Sequence, residues 1–296
     1  MSEPEKNIFS ILGDSFQVYV KNVKYLAIIT LLAFVPVFVF RLLLPQHYAA
    51  AYADFINALL AGGDIYDIAA LAASPLFESA STFALLYIGI ELVFFPLSTL
   101  AATYLANKAL TGEKPTFDGM FSATLPKFPK IIVTTAFAAA IAYLLLSFTS
   151  GFLGGFLMIL TVYFVVGMVF YQQVVADVGR WGFSAIIVSR FFVRGRWFRV
   201  FFGSLVLFVC YFVISLALEF LGAFIGATQN VFIHLPFFLI QHFILSFFAI
   251  AFGLWYFDIK RMHNLKIKEI GNALREKMLS HMEYENEESQ KEDDEV

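Results

Sequence analysis

Asp177–Val200 reads DVGRWGFSAIIVSRFFVRGRWFRV, with Arg180, Arg190, Arg194, Arg196 and Arg199 set among Trp181, Phe183, Phe191, Phe192, Trp197 and Phe198. Long apolar runs lie on both sides of it. A segment of this kind belongs at a membrane surface, where guanidinium groups meet lipid phosphates and aromatic rings settle at headgroup depth. Its arginines mark one side of a bilayer, and the rest of the chain is oriented against that mark.

Composition carries the same message. The 296 residues are 60% hydrophobic and 15% charged, with 37 phenylalanines and a mean hydropathy of +0.77. A soluble domain carries roughly a quarter charged residues, so an all-α integral membrane protein is expected, since open strands leave backbone groups unsatisfied in lipid. The net charge of −3 is misleading, because Glu283–Val296 alone holds eight acids and one lysine. Without that stretch the body carries 19 basic and 15 acidic residues, a net of +4. The single cysteine, Cys210, rules out an intramolecular disulfide. The opening MSEPEKNIFS has no basic region leading into an apolar core and a small-residue site, so no cleaved signal peptide is expected.

Six apolar runs have about the 20 residues that a helix needs to cross some 30 Å of hydrocarbon. They fall at 25–44, 82–105, 131–149, 153–176, 200–223 and 236–257. The fourth connection of the chain is the arginine-rich stretch itself. Lysine and arginine alternate strictly among the connections: three before the first span, four in the second connection, five in the fourth and seven after the last span, with none in the first, third and fifth. That places 19 of the 20 basic residues on one side, leaving only Arg41 within a span. By the positive-inside rule both termini are cytoplasmic. The expected organisation is a polytopic domain over 1–262 with an outer cap at 45–81, a basic juxtamembrane helix at 263–281 and an acidic disordered tail at 282–296.

Residues 5–22 are amphipathic at helical spacing, with Ile8, Phe9, Ile11, Leu12, Phe16, Val18 and Tyr19 on one face. A helix of this pattern lies in the bilayer interface or packs as an ordinary surface helix. Similar assemblies of amphipathic stretch, basic turn and aromatic recur at SILGDSFQVYVKNVKYL from Ser10, TFDGMFSATLPKFPKII from Thr116 and SAIIVSRFFVRGRWFRV from Ser184. The spans therefore read as three hairpins, each preceded by an interfacial amphipathic helix, although few residues of the three copies are identical.

Three stretches carry a family resemblance: TLPKFPKII at 124–132, ADVGRWGFSAIIVSRFFVRGRWFRV at 176–200, and LWYFDIKRM at 254–262. In their order and pattern the chain, from Asn7 to Met262, resembles the YciC-type uncharacterised bacterial inner-membrane proteins and the membrane domain fused to some glycerophosphodiester phosphodiesterases. The resemblance implies a six-span helical domain in a bacterial cell membrane. In the fused proteins hydrolysis belongs to a separate soluble barrel, for which this chain has no segment, so esterase activity is not implied.

Phosphate-binding loops, His-Glu-x-x-His, paired cysteines and Gly-x-Ser-x-Gly are missing, and His47, His234, His242, His263 and His281 do not fall at metal-ligand spacing. No cofactor and no metal are expected. The ionisable residues within spans are the candidates, because such groups are costly in lipid and face protein or water. Glu91 lies about nine residues into its span, ~14 Å deep at 1.5 Å per residue, while Arg41, Glu219, Gln241 and His242 enter from the same outer side. These five would form a polar cluster in the outer half of the bilayer, beside kinks at Pro36 and Pro96. The plainer reading has Arg41 and Glu219 reaching the headgroups and Glu91 serving as a structural polar group.

Arg190, Arg194, Arg196 and Arg199 would clasp anionic phospholipid on the cytoplasmic face, each at about 1 kcal/mol, or would only orient the chain. Besides lipid, a partner protein or a second copy of the chain stays open, while nucleic acid is disfavoured because the bilayer occupies the interleaved rings. The leading expectation is a non-catalytic multi-pass protein of envelope or membrane-lipid homeostasis, or a scaffold. The alternatives are a permease-like transport subunit working with a separate ATPase, and an intramembrane lipid enzyme using Glu91 and His242. With both termini cytoplasmic, alkaline phosphatase fused after Leu60 is active in bacterial cells and the same fusion at the C-terminus is not; the opposite pattern refutes the topology.

Overall fold

The computed structural model describes residues 6–43, 75–147, 154–224 and 235–265. It is helical throughout these residues, with no strand among them. In chain order the helices are α1 (Ile8–Lys21), α2 (Val23–Leu43), α3 (Pro75–Thr111), α4 (Phe117–Thr124), α5 (Phe128–Ser147), α6 (Gly154–Met168), α7 (Tyr171–Val178), α8 (Phe183–Val193), α9 (Trp197–Phe224) and α10 (Leu235–Leu265). Six segments are long and apolar enough to cross a membrane. Short helices α1, α4 and α8 precede the first, third and fifth of them.

Two boundaries differ from the sequence reading. Helix α3 starts at Pro75, inside the stretch read as outer cap, because Pro is well suited to the first turn, where its missing N–H costs nothing. The remainder of that cap, the tight turn after the third span, the tail at 282–296 and all of the juxtamembrane helix beyond Leu265 lie outside the described residues; His263–Leu265 continue α10.

The second difference is informative. The run 153–176 is not one rod but α6 and α7, broken at Val169 and Phe170. At the break the Ser189 hydroxyl, from α8, accepts from the Phe170 N–H at 3.1 Å and donates to the Gly167 carbonyl at 2.9 Å. Backbone groups that a helix end leaves without intrahelical partners are thus satisfied by a neighbouring side chain. Gly167 is needed there, since a Cβ would meet Arg190 Cγ at 2.9 Å.

Helix α10 runs through the centre of the packed end. Gly253 lets it approach α3, where an added Cβ would stand 3.2 Å from Ala106 Cβ, beside Thr103 and Ala102. Small residues allow such backbone approach where no hydrophobic force drives helices together. Thr30 and Ser246 hydrogen-bond at 2.8 Å between α2 and α10. Trp255 and Tyr256 are fully buried and meet Phe170, at 5.4 and 5.9 Å between ring centroids.

Burial is concentrated at the end that carries the Lys and Arg residues. There Ile131 on α5, Val166 and Met168 on α6, and Val200 and Leu207 on α9 are buried. Towards the other end the same helices expose their large apolar side chains: Tyr143 (72%) on α5, Ile159 (71%) on α6, Phe208, Phe212 and Phe220 (69%) on α9. These three helices thus present apolar side chains outward there, while α5 and α6 stay in contact through Thr161 and the Leu145 carbonyl at 3.4 Å. Gly203 holds the basic end tight, because a Cβ there would lie 2.3 Å from Trp255 Cη2. Gly203→Ala is expected to cost about 1–3 kcal/mol by overpacking. It should lower the melting temperature in detergent, with partial recovery when combined with Trp255→Phe. An unchanged melting temperature would contradict this packing.

Candidate functional site

At the basic end α7, α9 and α10 are joined by charged groups. Asp177, on the last turn of α7, accepts from the Tyr256 hydroxyl at 2.8 Å and pairs with Lys260, both on α10. Asp258, whose side chain is 5% exposed, pairs with Arg199 of α9 at 3.1 Å and with Arg261 at 3.0 Å. Arg199 also donates to the Lys6 carbonyl at 2.6 Å, tying in the segment before α1. Lys127, before α5, donates to the Ala176 carbonyl. Near α1 and the end of α3 the pairs are Lys6–Asp14 at 2.6 Å and the exposed Lys108–Glu113, whose ammonium holds the Glu113 carboxyl below the usual carboxylate range. Burial pushes the Tyr19 phenol up, so it stays a donor, to the Phe243 carbonyl at 3.2 Å.

Away from the basic end lies a cavity of about 220 Å³ lined by α2, α3, α9 and α10. Its polar lining is Glu91, Gln241, His242 and the Tyr211 phenol; Val37, Phe95 and Phe238 are among its apolar walls. Glu91 stands 17 residues from Lys108 along α3, about 26 Å at 1.5 Å per residue. His242 is 18 residues from Lys260, about 27 Å on the same basis. The cavity is therefore far from the basic end. His242 bonds the Phe238 carbonyl through Nδ1 at 2.9 Å, and its ring lies edge-on to Phe34 and Phe238.

The sequence-predicted cluster is thus brought together in part. Glu91, Gln241 and His242 share this cavity; Arg41 and Glu219 sit on α2 and α9, and their side chains lie outside the described residues. The arginines of the fourth connection separate. Arg190 lies over the Phe164 ring at 4.2 Å, Arg194 is exposed at the end of α8, Arg196 is half-buried, and Arg199 is in the ion pair with Asp258. Among the described residues no group of three or more His, Cys, Asp and Glu side chains is gathered as a metal site.

Fold and site define a helical multi-pass membrane protein whose packed, ion-paired end supports a small polar cavity at the other. Comparison with protein families, curated proteins and solved structures finds no match.

Sequence reading missed Asp177, Tyr211, Tyr256, Asp258 and Lys260 as site residues. For Asp177, Tyr256, Asp258 and Lys260 the signal was present in the stretches ADVG and WYFDIKR, where acids sit among rings and bases at a span's end, but pairing across 59 to 83 residues is not visible in one dimension. Truncating one member of a half-buried pair strands the other. Asp177→Ala is expected to destabilise by about 1–3 kcal/mol, while Lys108→Ala, whose partner Glu113 is 58% exposed, stays near zero. Thermal unfolding in detergent, with a double-mutant cycle on Asp177 and Lys260, measures both; equal effects would contradict the assigned roles.

Proposed function

We propose that this chain is a non-catalytic multi-pass protein of a bacterial cell membrane that holds membrane lipid at its polar cavity and serves membrane-lipid or envelope homeostasis. Both termini lie in the cytoplasm in this reading, as the distribution of Lys and Arg indicates. The observation that carries it is the cavity of Glu91, Gln241 and His242, backed towards the basic end by buried apolar side chains: Leu26, Ile29, Leu97, Leu100 and Ile250. A site that is polar at one point, apolar around it and stopped partway suits an amphiphile that stays in the bilayer. A permease-like subunit would need a polar route onward; between the cavity and the basic end the described hydroxyls of Thr30, Thr103 and Ser246 are buried among apolar side chains and bond to one another or to helix carbonyls.

The short helices support an interfacial placement. On α1, Ile11 and Val18 are buried while Phe9, Phe16 and Val20 are exposed on an adjacent stripe. On α8, Phe183, Ile187 and Phe191, four residues apart, form another exposed stripe. Apolar stripes beside basic residues suit helices lying in the headgroup boundary, each leading into a transmembrane hairpin. Membership of the YciC-type group belongs to the same proposal, supported by the meeting of its three motif stretches at Lys127–Ala176, Asp177–Lys260 and Arg199–Asp258.

Native mass spectrometry of the protein extracted with its lipids tests the reading. Wild type should retain lipid, and Glu91→Ala and His242→Ala should retain less at unchanged yield. Lipid-free wild type, or parallel loss of lipid and yield, counts against it.

A further inference from the structure

Arg190 is held in place by contacts that leave its N–H donors open. Its neighbour Ser189 anchors α8 to the break between α6 and α7 through the Phe170 N–H and the Gly167 carbonyl. The stem of Arg190 lies on the Gly167 backbone, where an added Cβ would stand 2.9 Å from Cγ and 3.5 Å from Cδ. Its guanidinium lies over the Phe164 ring at 4.2 Å, with the Tyr163 ring at 5.9 Å. Contact through the face of a ring holds the cation without engaging its N–H groups. Among the described residues no acceptor bonds those five donors, and none of the nitrogens is sealed from the surface.

The surroundings match the headgroup boundary of a bilayer. Trp197, the first residue of α9, donates through Nε1 to the Tyr163 carbonyl at 3.2 Å, and its ring stacks on Tyr163 at 5.8 Å. This side of α6 is therefore level with the start of the fifth span, and tryptophan and tyrosine favour that depth. Ile187 and Phe191 on α8 and Phe198 on α9 are exposed nearby. Neither α6 nor α8 contains Asp or Glu, and α9 has none before Glu219. A cation set among lipid-facing apolar side chains, with no carboxylate on its own helices, is matched by an anion from the lipid. A zwitterionic head would bring an ammonium that meets no acid here, whereas a head charged only at its phosphate is fully matched. Arg194, exposed at the end of the same helix, adds a second positive charge.

We propose that Arg190 is the phosphate ligand of a bound anionic glycerophospholipid, of the phosphatidylglycerol type, held in the leaflet at the basic end between α6 and α8. The guanidinium takes two phosphate oxygens along its N–H edge, and the acyl chains run over the exposed face of α9 at Phe198, Phe202 and Leu205. Arg190 thereby parts company with Arg199, whose guanidinium is committed to Asp258. The site is separate from the cavity of Glu91 and His242, and neither reading depends on the other.

Native mass spectrometry of the full-length protein in detergent, titrated with phosphatidylglycerol and phosphatidylcholine of equal chain length, tests the assignment. Wild type should bind phosphatidylglycerol about tenfold more tightly, as hydrogen bonding to a charged group implies. Arg190→Lys keeps the charge but loses the planar fork, and should bring the two lipids within about twofold of each other. Phe164→Leu keeps apolar bulk beneath the guanidinium but removes the ring face, and should lower the preference about threefold at nearly unchanged melting temperature. Arg180→Lys, at an exposed arginine outside the site, and Glu91→Ala, in the cavity, should leave the preference intact. A large excess of inorganic phosphate should not displace the lipid. Equal binding of the two lipids by wild type, a preference that survives both Arg190→Lys and Phe164→Leu, or displacement by inorganic phosphate overturns the inference. Loss of the preference in Glu91→Ala overturns it too, by placing the lipid in the cavity. If Arg190→Lys does not fold, Phe164→Leu alone decides.

Discussion

Two carboxylates hold this molecule together. Asp177 and Asp258 lie at the ends of membrane helices, where the chain passes from hydrocarbon to water, and each gathers donors from distant parts of the sequence. Through them α7 is joined to α10, and α9 to both α10 and the segment before α1. Charges in such a position must be paired, since their desolvation is costly and one truncated partner leaves the other stranded. The pairing therefore specifies which helix ends meet. Close packing follows: Gly203 admits Trp255, Gly253 brings α10 against α3, and Ser189 satisfies the broken turn between α6 and α7.

Packing is densest beside the ion pairs. With Trp255, Tyr256 and Phe170 filling the space there, α5, α6 and α9 are positioned from their basic ends and present apolar side chains outward beyond them. In water so much exposed apolar surface would not persist. In a bilayer the solvent is itself apolar, and helices gain little by covering it. Away from the basic end Glu91, Gln241 and His242 line a cavity, with the buried side chains of Leu97, Leu100 and Ile250 behind them.

Much of the fold was legible because lipid imposes simple arithmetic. Six runs of about 20 apolar residues appear as six helical segments long and apolar enough to cross a membrane. Glu91, Gln241 and His242, grouped by depth in the sequence, line one cavity, since position along a membrane helix is readable as residues from its end. Depth carries no information on rotation about the axis, so Tyr211 and Phe95 were not anticipated as neighbours of that group. Arg190 and Arg199, read together as headgroup ligands, diverge because one lies over Phe164 and the other pairs with Asp258. Nothing local distinguishes those two arginines.

By itself the sequence determined that this is a membrane protein of six long helices, because apolar length and the absence of alternative backbone partners in lipid leave few other solutions. Its basic residues were already segregated to alternate connections. Tertiary structure decided which of those bases are internal ties, where the fourth span breaks, and which side chains line the polar cavity. Those outcomes depend on contacts between residues far apart in the chain, such as Ser189 with Gly167, Asp258 with Arg199, and Trp255 with Gly203. The energy of each contact is set by close three-dimensional fit and shielding from water, which linear spacing does not encode.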